Sequence, residues 1–425
     1  MSTNEVSRIK AKPINPKLGL FIFLTLVLVV SRVTENLSEP LSRGKIEFSG
    51  EVASSPYVRG NKLQFRVGKY LVSSDYLELN LGDKVRVGGE VEEGKVIASE
   101  VERLPLSALE TTSRNVRDNL SKKIYAYFAD PQASLLAGIT LGLDQLPKDF
   151  KENLIITGTI HVVVVSGYNI ALVGGFFLVS APYIGRKKAS LLAIAAIICY
   201  TLLVGVSAPT LRAAVIGIVT LVGLLLGRKA LALYSLGLAG AAMLVINPNF
   251  LTDISFQLSF LATLGIIAFT KPISSKLTRV HGLFRESIAT TIAAQILVLP
   301  VLFYHFGTVS LLSPLVNSLV LWLIPLVTIG GFIFLVASFI NNLLAQGVGL
   351  ILLAPLFFFT YLVNEFAKLK FLFLEIGGSN WLLAVGYYSL VLSFLLRQKV
   401  KARGASLEAV WTLEKFGKRD TLAFG

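Results

Sequence analysis

The sequence predicts an α-helical polytopic membrane protein of about ten spans, with one broken or re-entrant region and a small extracytoplasmic all-β domain of OB type near the N-terminus. Three observations predict this. Of the 425 residues, 54% are hydrophobic and 16% charged, against roughly 25% charged in soluble domains. His161 to Ser180, HVVVVSGYNIALVGGFFLVS, is long enough to cross a bilayer but is interrupted by Ser166, Gly167, Tyr168 and Asn169. In hydrocarbon every backbone N–H and C=O needs a partner within the protein, so such a break should face a cavity or protein rather than lipid. The third observation lies in residues 43–104, where short alternating runs such as Lys84-Val85-Arg86-Val87 are separated by Gly-containing turns, the pattern of short strands.

Taken in order, residues 1–17 form a basic tail with four Lys/Arg and one acid, as expected beside a cytoplasmic leaflet. Residues 18–33 are an apolar run with no Ala-x-Ala cleavage site and with Arg32 at its end, and read as a retained signal anchor. The β domain, expected to have five strands, follows in 43–104. Its nine basic residues against ten acidic ones from Gly44 to Leu104 do not make a basic nucleic-acid groove, so Phe48, Phe65, Tyr70 and Tyr76 read as core or strand-face residues rather than a stacking platform. Residues 107–130 place Val116, Leu120, Ile124 and Tyr127 at helical spacing with Arg114, Arg117, Lys122 and Lys123 on other faces. They predict an amphipathic helix lying on membrane lipid.

Residues 131–396 hold the remaining spans. Basic loops (Arg186 to Lys188, Arg228-Lys229, Lys271 to Arg285) alternate with neutral ones (Val206 to Pro209, Asn247 to Asn249). Basic loops belong inside, which brings the His161 segment in from outside and puts the β domain there too, as the signal anchor also requires. The last spans are expected near Ile288–Tyr304, Leu311–Phe334 (kinked at Pro314 or Pro325), Leu343–Val363 and Phe371–Leu396, ahead of a basic tail at 397–425.

Polar residues inside the membrane are the candidate functional groups, because exposing them to lipid is so unfavourable. Arg212 is the only basic residue between Lys188 and Arg228. It would suit an anion near the mouth of a pathway, or else pair with Asp253 or Glu365 or snorkel to the interface. Asp253 is placed to cap a helix that carries Gln257 on the same face and Ser259 beside it. Gln295 and Asn317 read as interhelical hydrogen-bonding residues. His161 reads as an interfacial histidine satisfied by a neighbour, and Asp144 lies in an acidic turn before the broken segment. Three scattered histidines and the lone Cys199 make neither a zinc site nor an intrachain disulfide. No nucleophile elbow, P-loop or H-E-x-x-H helix occurs, so no catalytic residue, metal or cofactor is expected.

These segments together resemble one family. LLAGITLGLDQLPKDFKENLIITGTIHVVVVSGYNIALVGG is similar to the leading signature of the ComEC-type competence proteins. It is followed in order by YTLLVGVSAPTLRAAVIGIVTLVGLLLGRKA, NPNFLTDISFQLSFLATLGI and AAQILVLPVLFYHFGTVSLLSPLVNSLV. The resemblance covers roughly Leu135 to Pro325, and the β domain resembles the family's OB-like domain. It implies an inner-membrane channel passing single-stranded DNA into the cytoplasm, with the polar residues named above along the path. It further implies an extracytoplasmic DNA receptor and a helicase-like cytoplasmic ATPase as partners. Two departures stand out. Tyr168-Asn169 follow Ser166-Gly167 where the family pattern has Leu-His, and a C-terminal metallo-β-lactamase-like domain is not seen, so a separate nuclease is expected. The competing readings are a secondary transporter that uses the broken segment as a midplane site, and a membrane scaffold docked through the β domain.

Overall fold

The computed structural model describes residues 45–375, apart from short gaps at 53–56, 60–61, 68–69, 76–78, 80–82, 93–94, 106, 164–166, 206–207 and 226–231, together with 385–391 and 393. The two tails, the anchor at 18–33, Tyr76 and Ser166 therefore lie outside the described residues.

The alternating runs form a sheet of six strands rather than five: β1 Lys45–Glu51, β2 Tyr57–Arg59, β3 Lys62–Val67, β4 Tyr70–Ser74, β5 Lys84–Glu92 and β6 Lys95–Arg103, in the order β1-β5-β6-β4-β3-β2. The additional strand is the short β2, which pairs only with β3. All pairings are antiparallel except β4 with β6, and a bridge between Val52 and Val67 joins the end of β1 to the end of β3. Period-two patterning decides which side chains go in: Val85 and Val87 are fully buried while Arg86 is exposed. Phe65 is fully buried, and Phe48 and Tyr70 pack on the same core with ring centroids 4.5 Å apart.

Helix α1, Ala108–Tyr127, opens with a capping box in which Ser107 Oγ accepts from the Glu110 N–H and Glu110 accepts from the Ser107 N–H. Ile124 is buried, Leu120 and Tyr127 are partly so, and Val116 is exposed. Helix α2, Gln132–Leu141, is buried from Ala133 to its end. Its ten residues span only about 15 Å at 1.5 Å each. A polar stretch and α3, Lys148–Ile156, lead to α4, Ile160–Val163, and α5, Gly167–Leu178. Gly167, Tyr168 and Asn169 form the first turn of α5. Three of the four residues expected to interrupt the segment are thus helical, and Ser166 lies outside the described residues.

Helices α6 Ala181–Ile184, α7 Arg186–Val204, α8 Ala208–Leu225, α9 Ala232–Ile246, α10 Ile254–Ser274 and α11 Gly282–Phe306 follow. The expected kinked span over Leu311–Phe334 is instead two helices, α12 Ser313–Val320 and α13 Leu323–Ile340, ahead of α14 Asn342–Ala367. The expected start of the last span at Phe371 is also corrected. Phe373–Glu375 is a strand, β8, paired with β7, Thr308–Ser310, and the described residues 385–391 are helical. Gly307, in the left-handed region at φ 64°, ends α11, and the extended residues that follow it find their backbone partners in β8.

Among the described residues six helices are long and apolar enough to cross a membrane: Ile160–Leu178, Arg186–Val204, Ile254–Ser274, Phe284–Phe306, Leu323–Ile340 and Asn342–Ala367. The chain is a membrane protein. Because lipid is as apolar as the helices, close approach rather than hydrophobic transfer has to hold them together. Gly138 supplies it between α2 and α4, where a Cβ would lie 2.5 Å from Val163 Cγ1, and Gly331 between α13 and α2, where it would lie 2.5 Å from Thr140 Cγ2. One core gathers α1, α2, α12, α13 and α14 around Leu136, Val327, Phe334 and Phe359. A second gathers α5, α7 and α8 around Ile170, Ile197 and Tyr200.

Candidate functional site

The short helix α2 ends inside the bundle, and a helix end leaves carbonyls without intrahelical partners. Two side chains from other helices take them up. Asn169 Nδ2 on α5 donates to the Ile139 carbonyl at 3.0 Å, and the Tyr200 hydroxyl on α7 donates to the Thr140 carbonyl at 3.1 Å. The Gly142 N–H closes the Gly138 carbonyl from the left-handed C-cap position. Asn169 is fully buried, and its Oδ1 has no partner among the described residues.

Two residues earlier, at the start of α5, the missing side chain of Gly167 makes room for α8. A Cβ at Gly167 would meet Ala213 Cβ at 3.2 Å and Arg212 Nη2 at 3.6 Å. Arg212 reaches across the bundle to α10, where Nη1 donates to Thr263 Oγ1 at 2.8 Å and Thr263 Oγ1 in turn donates to the Ser259 carbonyl at 2.9 Å. The guanidinium lies 6.0 Å from the Phe260 ring centroid, within cation–π range. Its Nε has no hydrogen-bond partner among the described residues, nor does any carboxylate there pair with it. Neither proposed acid reaches it: Asp253 Oδ1 accepts from the Phe256 N–H as the N-cap of α10, and Glu365 pairs with Lys368. His161, on α4, is exposed.

The other candidates go elsewhere. Asp144 forms a 2.6 Å ion pair with Lys151 across the polar stretch after α2. Gln257 donates to the Leu251 carbonyl and holds the approach to α10. Gln295 is half-buried in α11 and makes no hydrogen bond among the described residues, so the interhelical bond expected of it is not formed there. Asn317, buried in α12, donates to Ser313 Oγ at 3.0 Å within its own helix. Tyr168 is half exposed on α5. No group of three or more His, Cys, Asp or Glu gathers among the described residues. The structure therefore brings together Gly167, Arg212, Thr263 and the Ser259 backbone, while Asn169, two residues further along α5, turns to the end of α2. Thr263 and Tyr200 were not singled out from the sequence, although Thr263 stands four residues after Ser259 on one helical face and Tyr200 is a polar tip in an apolar run.

Fold and site define a polytopic helical membrane protein with a cation held inside its bundle. The chain belongs to the competence protein family, whose sequence model matches residues 139–401. It is 30% identical over 164 residues to ComE operon protein 3 of Bacillus subtilis (strain 168), a stretch covering 38% of this chain and 21% of that protein. It is 27% identical over 241 residues to an uncharacterized protein of Aquifex aeolicus (strain VF5), covering 54% of this chain and 56% of that one. The chain thus spans only part of the length of these relatives. No solved structure matches it.

Proposed function

We propose that the chain forms the membrane passage through which single-stranded DNA reaches the cytoplasm during natural transformation. Membership of the competence family supports the substrate. The observation that carries the mechanism is Arg212, a guanidinium lodged between α5, α8 and α10 with a hydroxyl partner and no carboxylate among the described residues. A cation at the centre of a lone span costs about 2.5–3.5 kcal/mol on insertion scales, so its retention calls for a partner, and a passing phosphate is one. A strand bearing a charge per nucleotide needs guidance without a deep trap, which a single guanidinium supplies better than an arginine ring. Gly167, His161, Tyr168 and Asn169 would line or shape the path beside it. Asp144, Asp253, Gln257, Ser259, Gln295 and Asn317 would act at a distance, through capping and helix placement.

The alternating loop charges favour a bacterial inner-membrane protein with cytoplasmic termini and the sheet outside. The strand order, the parallel β4–β6 pair and the Val52–Val67 bridge favour an OB-type barrel. Its partners would be a DNA receptor outside and a helicase-like ATPase inside, since no phosphate-binding loop supplies energy here.

The test is transformation by exogenous DNA in a naturally competent host, comparing the intact gene, a deletion, Arg212→Ala and Arg212→Lys at membrane levels matched by immunoblot. Deletion should abolish transformation. Arg212→Ala should lower it roughly tenfold or more, the effect of ~1.4 kcal/mol on a rate-limiting barrier, and Arg212→Lys should retain part. A deletion strain that transforms normally would sink DNA uptake and leave a permease role.

A further inference from the structure

We infer that Arg117, on the surface helix α1, is a positioning residue that sets where the Arg212 guanidinium lies. The inference rests on the reading of Arg212 given above.

The contacts form a continuous chain. Helix α7 ends at Val204, and its last carbonyls have no helical N–H to accept. Helix α1 supplies the donors: Ser113 Oγ to the Leu202 carbonyl, and Arg117 Nη1 to the Val204 carbonyl at 2.8 Å. A cation is favoured at that negative end of the helix dipole. The guanidinium then presses on Gly205, whose φ of 103° only glycine adopts readily and where a Cβ would lie 3.4 Å from Arg117 Nη1. The Gly205 carbonyl accepts from Thr210 Oγ1 at 3.1 Å, so α8 is tied to this point by the buried Thr210 of its first turn. Arg212 follows two residues later on α8, with Ala213 against Gly167. Moving Val204 and Gly205 therefore moves Thr210, and with it the base of Arg212.

The same N-terminal half of α1 is fixed to the sheet. Arg114 Nη1 pairs with the buried Asp83 at 2.9 Å, and Lys84 pairs with Glu110 at 2.8 Å. Arg114 and Arg117 lie three residues apart, on one face of α1. This stretch of α1 thus joins the sheet directly to the end of α7, and a ligand that shifts the sheet would reach the passage through Arg117.

The test uses the full chain in membranes with Cys199→Ser, which removes the exposed native thiol, and Ala213→Cys at the buried neighbour of Arg212. The introduced thiol should react several-fold faster with a small maleimide when Arg117→Met is added, with Arg117→Lys intermediate. An unchanged rate would overturn the inference. A thiol placed by Ala293→Cys, buried between α10 and α11, should not change, and an equal rise there would mean general loosening and also overturn it. If Arg117→Met does not accumulate, Ser113→Ala should give a smaller rise at Ala213→Cys, and no rise counts against the inference. In the transformation assay, Arg117→Met combined with Arg212→Ala should be no worse than Arg212→Ala alone, whereas losses that multiply would show that Arg117 acts independently. If Arg212→Ala transforms normally, the passage reading of Arg212 fails, and the maleimide rates still decide whether Arg117 positions α8.

Discussion

Asn169 shows how one residue can carry a membrane bundle. Its amide, fully buried, occupies the Ile139 carbonyl at the end of α2. Asn169→Leu, close in size but without a donor, should destabilise the protein by about 1–3 kcal/mol, the cost of a buried polar group left unpaired. Asn169→His keeps a ring N–H and should stay nearer the parent. Thermal unfolding in detergent distinguishes the two, and equal losses would mean that shape rather than the hydrogen bond matters. The contact was not legible in the sequence, because the acceptor stands 30 residues away and is a backbone atom that any residue carries. The Asp253 cap was legible, since an N-cap is written within three residues of itself. Arg212 was legible as a lone cation, but its lodging beside Gly167 and Thr263 was not, because neither position carries a charge that would announce it.

At the scale of elements, apolar patterning identified helices well and their ends poorly. Pro314 and Pro325 read as kinks within one long span. Pro314 instead opens α12, and Pro325 lies in the first turn of α13, where the missing N–H would have had no intrahelical partner in any case. The pattern cannot tell a kink from two starts, because both satisfy the same backbone rule. Helix contacts make a sharper prediction. A Cβ at Gly265 would run into the Ala293 carbonyl of the facing helix, whereas one at Gly175 meets nothing within 4 Å. Gly265→Ala should push α10 and α11 apart and cost about 1–3 kcal/mol. Gly175→Ala should be neutral or stabilising by up to about 1 kcal/mol. Detergent melting curves of the pair provide the check, and a neutral Gly265→Ala would mean that the two helices slide freely.

Over the whole molecule, ion pairs join the sheet to α1. Lys84 and Ser107 hold the Glu110 carboxyl down to about 2 from its ordinary 4.5. A depressed carboxylate contributes stability above its unfolded value and loses it as pH falls through the folded one. The sheet should therefore stay docked down to about pH 4.5 and loosen progressively towards pH 2. The contribution is small because the pair is over two-fifths exposed. Glu110→Gln at neutral pH should imitate acid, giving faster hydrogen exchange at the start of α1, and unchanged exchange would place the docking in Asp83 and Arg114 instead. The trans-capping of α2 also has a consequence for biosynthesis. A helix of ten residues cannot bridge a hydrocarbon layer of about 30 Å, and the groups that close its end, Asn169 and Tyr200, leave the ribosome 30 and 60 residues after their acceptors. The segment must wait at the translocon or the lipid surface until later helices arrive, so the bundle is assembled out of the order in which it is made.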